Sequence, residues 1–258
     1  MMLPANSSFV VRRASTSADL SAAQRLRYAV FVDELGGDGP DVNHETKHEC
    51  DPFDAHATHL LLEDTARPAD DRVVGVYRLM TADQAQAAGG FYCATEFDLS
   101  ELIGSGRRLL ELGRSCLHPD YRGGTAMLHL WAGLAGFASD LDTEILFGVA
   151  SFHGTDLTEL AEPLSNLADK HLAEGAMTAT ARAPHAVPMT IIPLDQIDRK
   201  AAMRATPALI KAYLRLGGVV GQGAYVDHAF NTTDVCLILD TVKMNARAAA
   251  LYGAGDHI

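Results

Sequence analysis

The stretch that most constrains this chain runs over residues 109–125, Leu-Leu-Glu-Leu-Gly-Arg-Ser-Cys-Leu-His-Pro-Asp-Tyr-Arg-Gly-Gly-Thr. Its first nine residues read as a buried strand, yet they carry Glu111 and Arg114. Charge taken into a core costs on the order of several kcal/mol unless it is paired or used. His118-Pro119-Asp120 stops the strand, and Gly123-Gly124 leads into an apolar helix starting at Thr125. A helix N-terminus of that kind presents free backbone N–H groups to an anion. Either feature alone is ordinary: a structural ion pair, or a turn with a cap. In sequence they predict a catalytic strand beside a phosphate cradle. Residues three apart in a regular strand point to opposite faces. Glu111 and Arg114 therefore share a cleft only if the backbone bulges near Gly113.

The chain has 258 residues, 48% hydrophobic and 21% charged, which suits a soluble globular protein with a sizeable core. No repeat, linker or compositional break appears, so a single mixed α/β domain over residues 1–258 is expected. A net charge of −12 excludes nucleic-acid binding as the main task, because neutralising phosphates needs a basic face. Cys50, Cys93, Cys116 and Cys236 are widely separated, as expected of reduced thiols in the cytoplasm. Residues 1–8 lack a basic start followed by an apolar run, so no signal peptide is read. No apolar stretch approaches the roughly 20 residues that span a bilayer. Peripheral contact with the inner face of the membrane stays open. Asn6-Ser7-Ser8 and Asn231-Thr232-Thr233 match the glycosylation pattern, which carries no weight without secretion.

Hydrophobic periodicity predicts strands at residues 9–14, 58–63, 72–80, 109–117, 144–151, 219–222 and 234–239, the second and third pairing as an antiparallel hairpin. Helices are expected at 20–35, capped by Ser17 or Asp19, and at 83–90, 125–141, 157–174 and 207–216, with a helical turn at 97–103. Extended segments are expected at 176–181 and 187–193. The acidic loop before Asp54 is long enough for a functional role.

Several motifs compete for attention. His44-Glu45-Thr46-Lys47-His48 spells the zincin pattern, but that chemistry needs a helix with both histidines on one face. The Gly-, Pro- and Asp-rich flanks offer no such helix. No complete nucleophile elbow or dinucleotide fingerprint is present, and Cys116 reads as core filling. More telling is the company kept by Glu111 and Arg114. Arg27, Glu49, Asp51, Asp54 and Arg78 are further charges beside expected core elements. Such a set suits a cationic amino substrate that also bears a carboxylate. A structural ion-pair network is the competing reading.

At this strand–turn–helix the chain resembles the GNAT acyltransferase superfamily, whose fold is a central mixed twisted sheet flanked by helices. Thr125 and Met127 stand where that superfamily's signature has small residues, which points to one phosphopantetheine phosphate rather than a diphosphate. Acyl-homoserine-lactone synthases resemble it at Arg27-x-x-x-Phe31, Asp51-x-x-Asp54, Arg78 and Glu111-x-x-Arg114. Gly37, however, stands where those synthases carry a tryptophan. The resemblance is greater to L-ornithine N-alpha-acyltransferases, through Arg27-Tyr28-x-Val30-Phe31, Cys50-Asp51-x-Phe53-Asp54 and Glu111-Leu112-Gly113-Arg114-Ser115-Cys116. It continues through Ser151-Phe152-His153-Gly154-Thr155-Asp156, residues 209–217, and Phe230-Asn231-Thr232-Thr233-Asp234-Val235.

That resemblance implies transfer of a 3-hydroxyacyl group from acyl carrier protein to the α-amine of L-ornithine, giving lyso-ornithine lipid. It implies no resident cofactor, since phosphopantetheine arrives on the carrier. Glu111 is then the candidate general base. Backbone N–H groups near Cys116 and Leu117 would meet the oxyanion, with Arg122, Gly123, Gly124 and Thr125 around the phosphate. Arg27, Arg78 and Arg114, with Asp51 and Asp54, would hold the amino acid. Leu112, Trp131, Phe147 and Val149 are candidates for the acyl tunnel or plain core. An acidic carrier needs a local basic patch, from Arg107, Arg108 and Arg122 or from Arg199, Lys200 and Arg204. The alternatives are another amino-acid acceptor, a homoserine-lactone synthase, and a non-catalytic acyl-binding module.

Overall fold

The structure is a computed structural model that describes residues 8–244. The N-terminal stretch read for a signal peptide, with Asn6, lies outside the described residues. In chain order the larger elements are β1 (Phe9–Arg13), α1 (Ser17–Arg27), β2 (Thr58–Asp64), β3 (Val73–Thr81), α2 (Ala82–Ala88), α3 (Ser100–Gly104) and β4 (Leu109–Leu117). There follow α4 (Ala126–Asp140), β5 (Ile145–His153), α5 (Ala161–Lys170), α6 (Arg199–Ala205), α7 (Ala208–Leu216), β6 (Ala224–Asp227) and β7 (Thr232–Asp240). The class is α/β, a mixed sheet with flanking helices, as expected.

The chain divides into two compact units, one built mainly from residues 1–89 and 112–143, the other from 90–111 and 144–245. In the first, β1, β2 and β3 form an antiparallel meander, Phe9 opposite Asp64 and Thr58 opposite Leu79. Leu61, Leu62, Val74 and Leu79 are its fully buried apolar residues. Helix α4 lies close against β1 at Gly133, where a Cβ would stand 2.4 Å from Val11 Cγ1. Any larger residue there would push the helix off the sheet. Thr16 rather than Ser17 or Asp19 caps α1, and Asp19 closes the capping box from the N3 position. The α-helix ends at Arg27 and continues as a π-helix, Tyr28–Glu34, so the expected long helix changes its winding midway.

In the second unit, residues 109–111 of β4 run parallel to β5, Leu109 opposite Ile145 and Glu111 opposite Phe147. Strand β5 pairs antiparallel with β7 over nine residues, and β7 with β6. Helix α5 is shorter than its periodic pattern, and α6 and β6 were not anticipated. Pro207 and Gly217 bound α7 as expected. Leu112 and Trp131 are buried in the first unit, Phe147 is buried in the second, and Val149 is half-buried there.

Candidate active site

Six charged side chains converge in the first unit. Asp51 begins a tight 3-10 turn, Pro52–Ala55, by accepting from Phe53 N–H at 2.9 Å. That turn sets Asp54 within reach of Arg27 at the end of α1. Arg27 clasps Asp54 with both terminal nitrogens, at 2.8 and 2.9 Å. It also donates through Nε to the Glu49 carboxylate and through Nη2 to the Glu49 carbonyl at 2.7 Å. Arg78 on β3 donates to both oxygens of Asp51, at 2.5 and 2.6 Å, and to Asp54 at 2.9 Å. Arg114 completes the set, reaching Glu49 and Asp51 at 3.0 Å each. Gln24 supplies one more donor to Asp54 at 2.9 Å.

Three guanidinium groups thus balance three carboxylates, and the network is deep: Arg27 is 1% and Glu49 0% exposed. Burial alone would push the Asp54 carboxyl up, but Arg27, Arg78 and Gln24 overcome it and hold Asp54 well below the ordinary carboxylate range. Burial likewise opposes the charge on Arg27, and Glu49 and Asp54 more than restore it. His59 donates through Nε2 to the Asp54 carbonyl at 3.0 Å, and its burial keeps the imidazole below its usual pKa.

Near Gly113, where the sequence reading asked for a bulge, the backbone turns at Arg114. Arg114 has φ +51°, a left-handed conformation that costs a non-glycine residue roughly 1–2 kcal/mol. It breaks the two-residue alternation of β4 and leaves residues 113–115 half-buried between buried flanks. The two ion pairs of the Arg114 side chain stabilise that turn of the backbone. The sequence set these six charges beside Glu111, which bonds elsewhere, and gave no sign that Glu49, through its two oxygens, links Arg27 to Arg114.

Asp41 is a further acid that the sequence did not single out. Its backbone carbonyl accepts from Cys50 N–H at 2.8 Å, which places it beside Glu49 and Asp51. The carboxyl is half-buried and pushed up first by burial, then by Asp51. Its side chain makes no hydrogen bond or ion pair among the described residues.

Glu111 belongs to the second unit. It is buried, and its carboxylate accepts from the backbone N–H of Tyr92 at 3.0 Å and of Cys93 at 2.5 Å, where the 3-10 turn Tyr92–Thr95 begins. Two fixed donors orient the carboxylate. Cys116 is buried, which pushes its thiol up to about 12; a thiol in that state is not a nucleophile. Leu117 is buried as well, and its carbonyl accepts from Arg122. Beyond it Gly123 takes φ +75°, a conformation glycine adopts without penalty. Gly124 is exposed, and Thr125 starts α4 with no side-chain cap. The first-turn N–H groups of a 15-residue helix are therefore not satisfied by a cap. Arg122 itself forks onto Glu34 at 2.6 and 2.7 Å.

The zincin-like motif is not a helix. It spans the turn of a hairpin in which Asn43 pairs with His48, and Lys47 has φ +55°. His44 bonds Tyr28 and Asp38, and His48 bonds Ser21 at 2.7 Å.

Residues 26–132 match the family model described as an acetyltransferase (GNAT) domain. An L-ornithine N(alpha)-acyltransferase of Rhodobacter capsulatus is 51% identical over 253 residues, covering 97% of each chain. The chain belongs to the L-ornithine N(alpha)-acyltransferase family. A second family member, from Brucella abortus, is 39% identical over 96% of this chain and 89% of its own. Among solved structures, the N-acyl amino acid synthase FeeM from uncultured soil microbes aligns with a TM-score of 0.52 over 91% of both chains, at 12% identity. The acyl-homoserine-lactone synthase LasI aligns at 0.51 over 96% of both chains, at 17% identity. These two likenesses establish the fold that the ornithine acyltransferase family shares with them. The chain is an acyltransferase. Among the described residues no helix is long and apolar enough to cross a membrane.

Proposed function

We propose that the chain transfers a 3-hydroxyacyl group from acyl carrier protein to the α-amine of L-ornithine, giving lyso-ornithine lipid. The observation that carries this reading is the 51% identity, end to end, with a protein named for that acceptor. The donor and product extend it by resemblance.

An amine attacks a thioester only when unprotonated. Glu111 takes that proton, directly or through one water. A carboxylate can accept about four hydrogen bonds, so its anchoring by Tyr92 and Cys93 is compatible with the role and fixes its direction. The C–N bond forms at the thioester carbon, the C–S bond breaks, and the thiol leaves on phosphopantetheine. No acyl-enzyme is required, consistent with the neutral, buried Cys116. Backbone N–H groups near Cys116 and Leu117 meet the oxyanion, and the turn Arg122-Gly123-Gly124-Thr125 receives the phosphate.

The charge network divides into scaffold and contact. Arg27 is engaged with Glu49 and Asp54, Asp54 also with Arg78, and Asp51 with Arg78 and Arg114. Arg114, with its side chain 10% exposed, is the member suited to fork onto the ornithine carboxylate. Asp41 supplies a negative charge for the side-chain ammonium. No resident cofactor is invoked, and the setting is cytoplasmic.

Purified chain supplied with a 3-hydroxyacyl carrier protein and a panel of ornithine, lysine, glutamine and glycine tests this reading. Acylation of ornithine at its α-amine in clear preference to the others is expected. Preference for another amino acid, or lactone formation from S-adenosylmethionine, would overturn it.

A further inference from the structure

The chain's charge is unevenly spread. Against a total of −12, residues 191–216 hold five cations (Arg199, Lys200, Arg204, Lys211, Arg215) and two carboxylates (Asp195, Asp198), a local excess of three positive charges. They sit on α6 and α7 of the second unit. Lys200 and Arg204 are four residues apart, as are Lys211 and Arg215, so each pair shares one helix face. Lys200, Arg204 and Arg215 are exposed and Lys211 is half-buried.

What distinguishes four of these cations is that nothing among the described residues neutralises them. Arg199 is bound to Asp169 at 2.8 Å and to Asn166 at 3.2 Å. Asp198 is used as the cap of α6, accepting from Lys200 and Ala201 N–H. Among the described residues Lys200, Arg204, Lys211 and Arg215 make no ion pair and no side-chain hydrogen bond. The other basic group behaves differently. Arg107 holds Asp240 and Glu144, Arg108 holds Glu144, and Arg122 holds Glu34. Those charges are already satisfied inside the protein.

An unneutralised basic face on an acidic protein has a specific use: it lets an acidic partner approach that the rest of the surface repels. The partner's class follows from the helices. Ala202 of α6, and Ile210, Tyr213 and Leu216 of α7, are buried in their own unit. The outward faces therefore offer charge without the apolar stripe that an interfacial helix inserts into a bilayer. We infer that the α6–α7 face is the docking surface for the acidic carrier protein that presents the acyl thioester, an assignment that rests on the donor proposed above.

The test compares two donors, acyl carrier protein and a short acyl-pantetheine thioester, in the wild type and in the variants K200E/R204E and K211E/R215E. Rim charges act on encounter more than on chemistry. Each double variant is expected to lose about 10-fold or more in kcat/KM with the carrier donor, and to keep its activity with acyl-pantetheine. Salt is expected to slow the wild type with the carrier and to have little effect on the variants. Unchanged carrier kinetics would overturn the docking face while leaving the donor intact. An equal loss with both donors would also overturn it. A wild type that uses acyl-pantetheine but not the carrier would refute the donor reading, and the docking face with it. Variants that lose co-sedimentation with phosphatidylglycerol vesicles, with carrier kinetics unchanged, would reassign the face to the membrane.

Discussion

Two buried charge sites, one in each unit, are held by different means. In the first, Arg27, Arg78 and Arg114 are balanced by Glu49, Asp51 and Asp54, side chain against side chain. In the second, Glu111 is held by two backbone N–H groups of a 3-10 turn. A side-chain network is mutually dependent: removing one member leaves an uncompensated buried charge. A carboxylate gripped by backbone donors keeps those two bonds when a neighbouring side chain is replaced. The network therefore suits a scaffold, and the backbone-held acid suits a group whose direction must stay fixed during reaction.

Glu111→Gln is expected to have the largest effect. Turnover is expected to fall ~10²–10⁴-fold, far more than any loss in thermal stability, measured by steady-state kinetics beside a melting curve. A stability loss without the kinetic one would make Glu111 a cap for the Tyr92 turn and nothing more. Arg27→Ala should show the opposite pattern. Loss of its partners' counter-charge is expected to cost about 3–5 kcal/mol in denaturant unfolding, with activity lost only as the fold is lost. Asp41→Asn should leave the melting temperature alone and raise KM for ornithine roughly 10-fold, the size of one charge-assisted hydrogen bond.

The acid limb of stability sharpens the same contrast. The folded pKa of Asp54 lies below its unfolded value, so the unfolded chain binds more protons as pH falls. The stabilisation it contributes is complete above pH 4 or so and is lost as pH drops through the folded value. His59, depressed by burial, adds a smaller loss of the same sign between its ordinary value of 6.5 and its lower folded one. Stability measured against pH should be flat at neutral pH and fall in acid, and Asp54→Asn should flatten the steeper part. The smallest effect belongs to the hairpin histidines. His44→Ala with His48→Ala should leave activity within about twofold and remove no zinc dependence, because the two rings serve Tyr28, Asp38 and Ser21.

Much of this was legible in the chain. The apolar runs and bounding turns of β2 and β3, the apolar run of β5, and the Pro207–Gly217 frame of α7 all carry local signals, and all formed close to where they were read. The charges that meet in the first unit could be named because buried arginines and acids beside core elements are conspicuous. Their connectivity was not legible. Nothing local tells that Glu49 bridges Arg27 and Arg114, or that Arg114 rather than Gly113 takes the left-handed turn. Helix α6 was missed because its apolar content, Ala201, Ala202 and Met203, is too slight for a periodic signal, and Asp198 as its cap was the only cue. Glu111 drew attention as a charge in a strand, yet the Tyr92 and Cys93 N–H groups that hold it are backbone donors, which leave no trace in composition.

N-acylation of ornithine leaves a lipid of defined mass. Mass spectrometry of lipids from a host expressing the chain tests it most directly, with fragmentation to place the acyl group. An N-acylated ornithine carrying a 3-hydroxyacyl chain on its α-nitrogen, absent when Glu111→Gln replaces the wild type, is the predicted result. An acyl-homoserine lactone, or an acyl chain on a different amino acid, would contradict it.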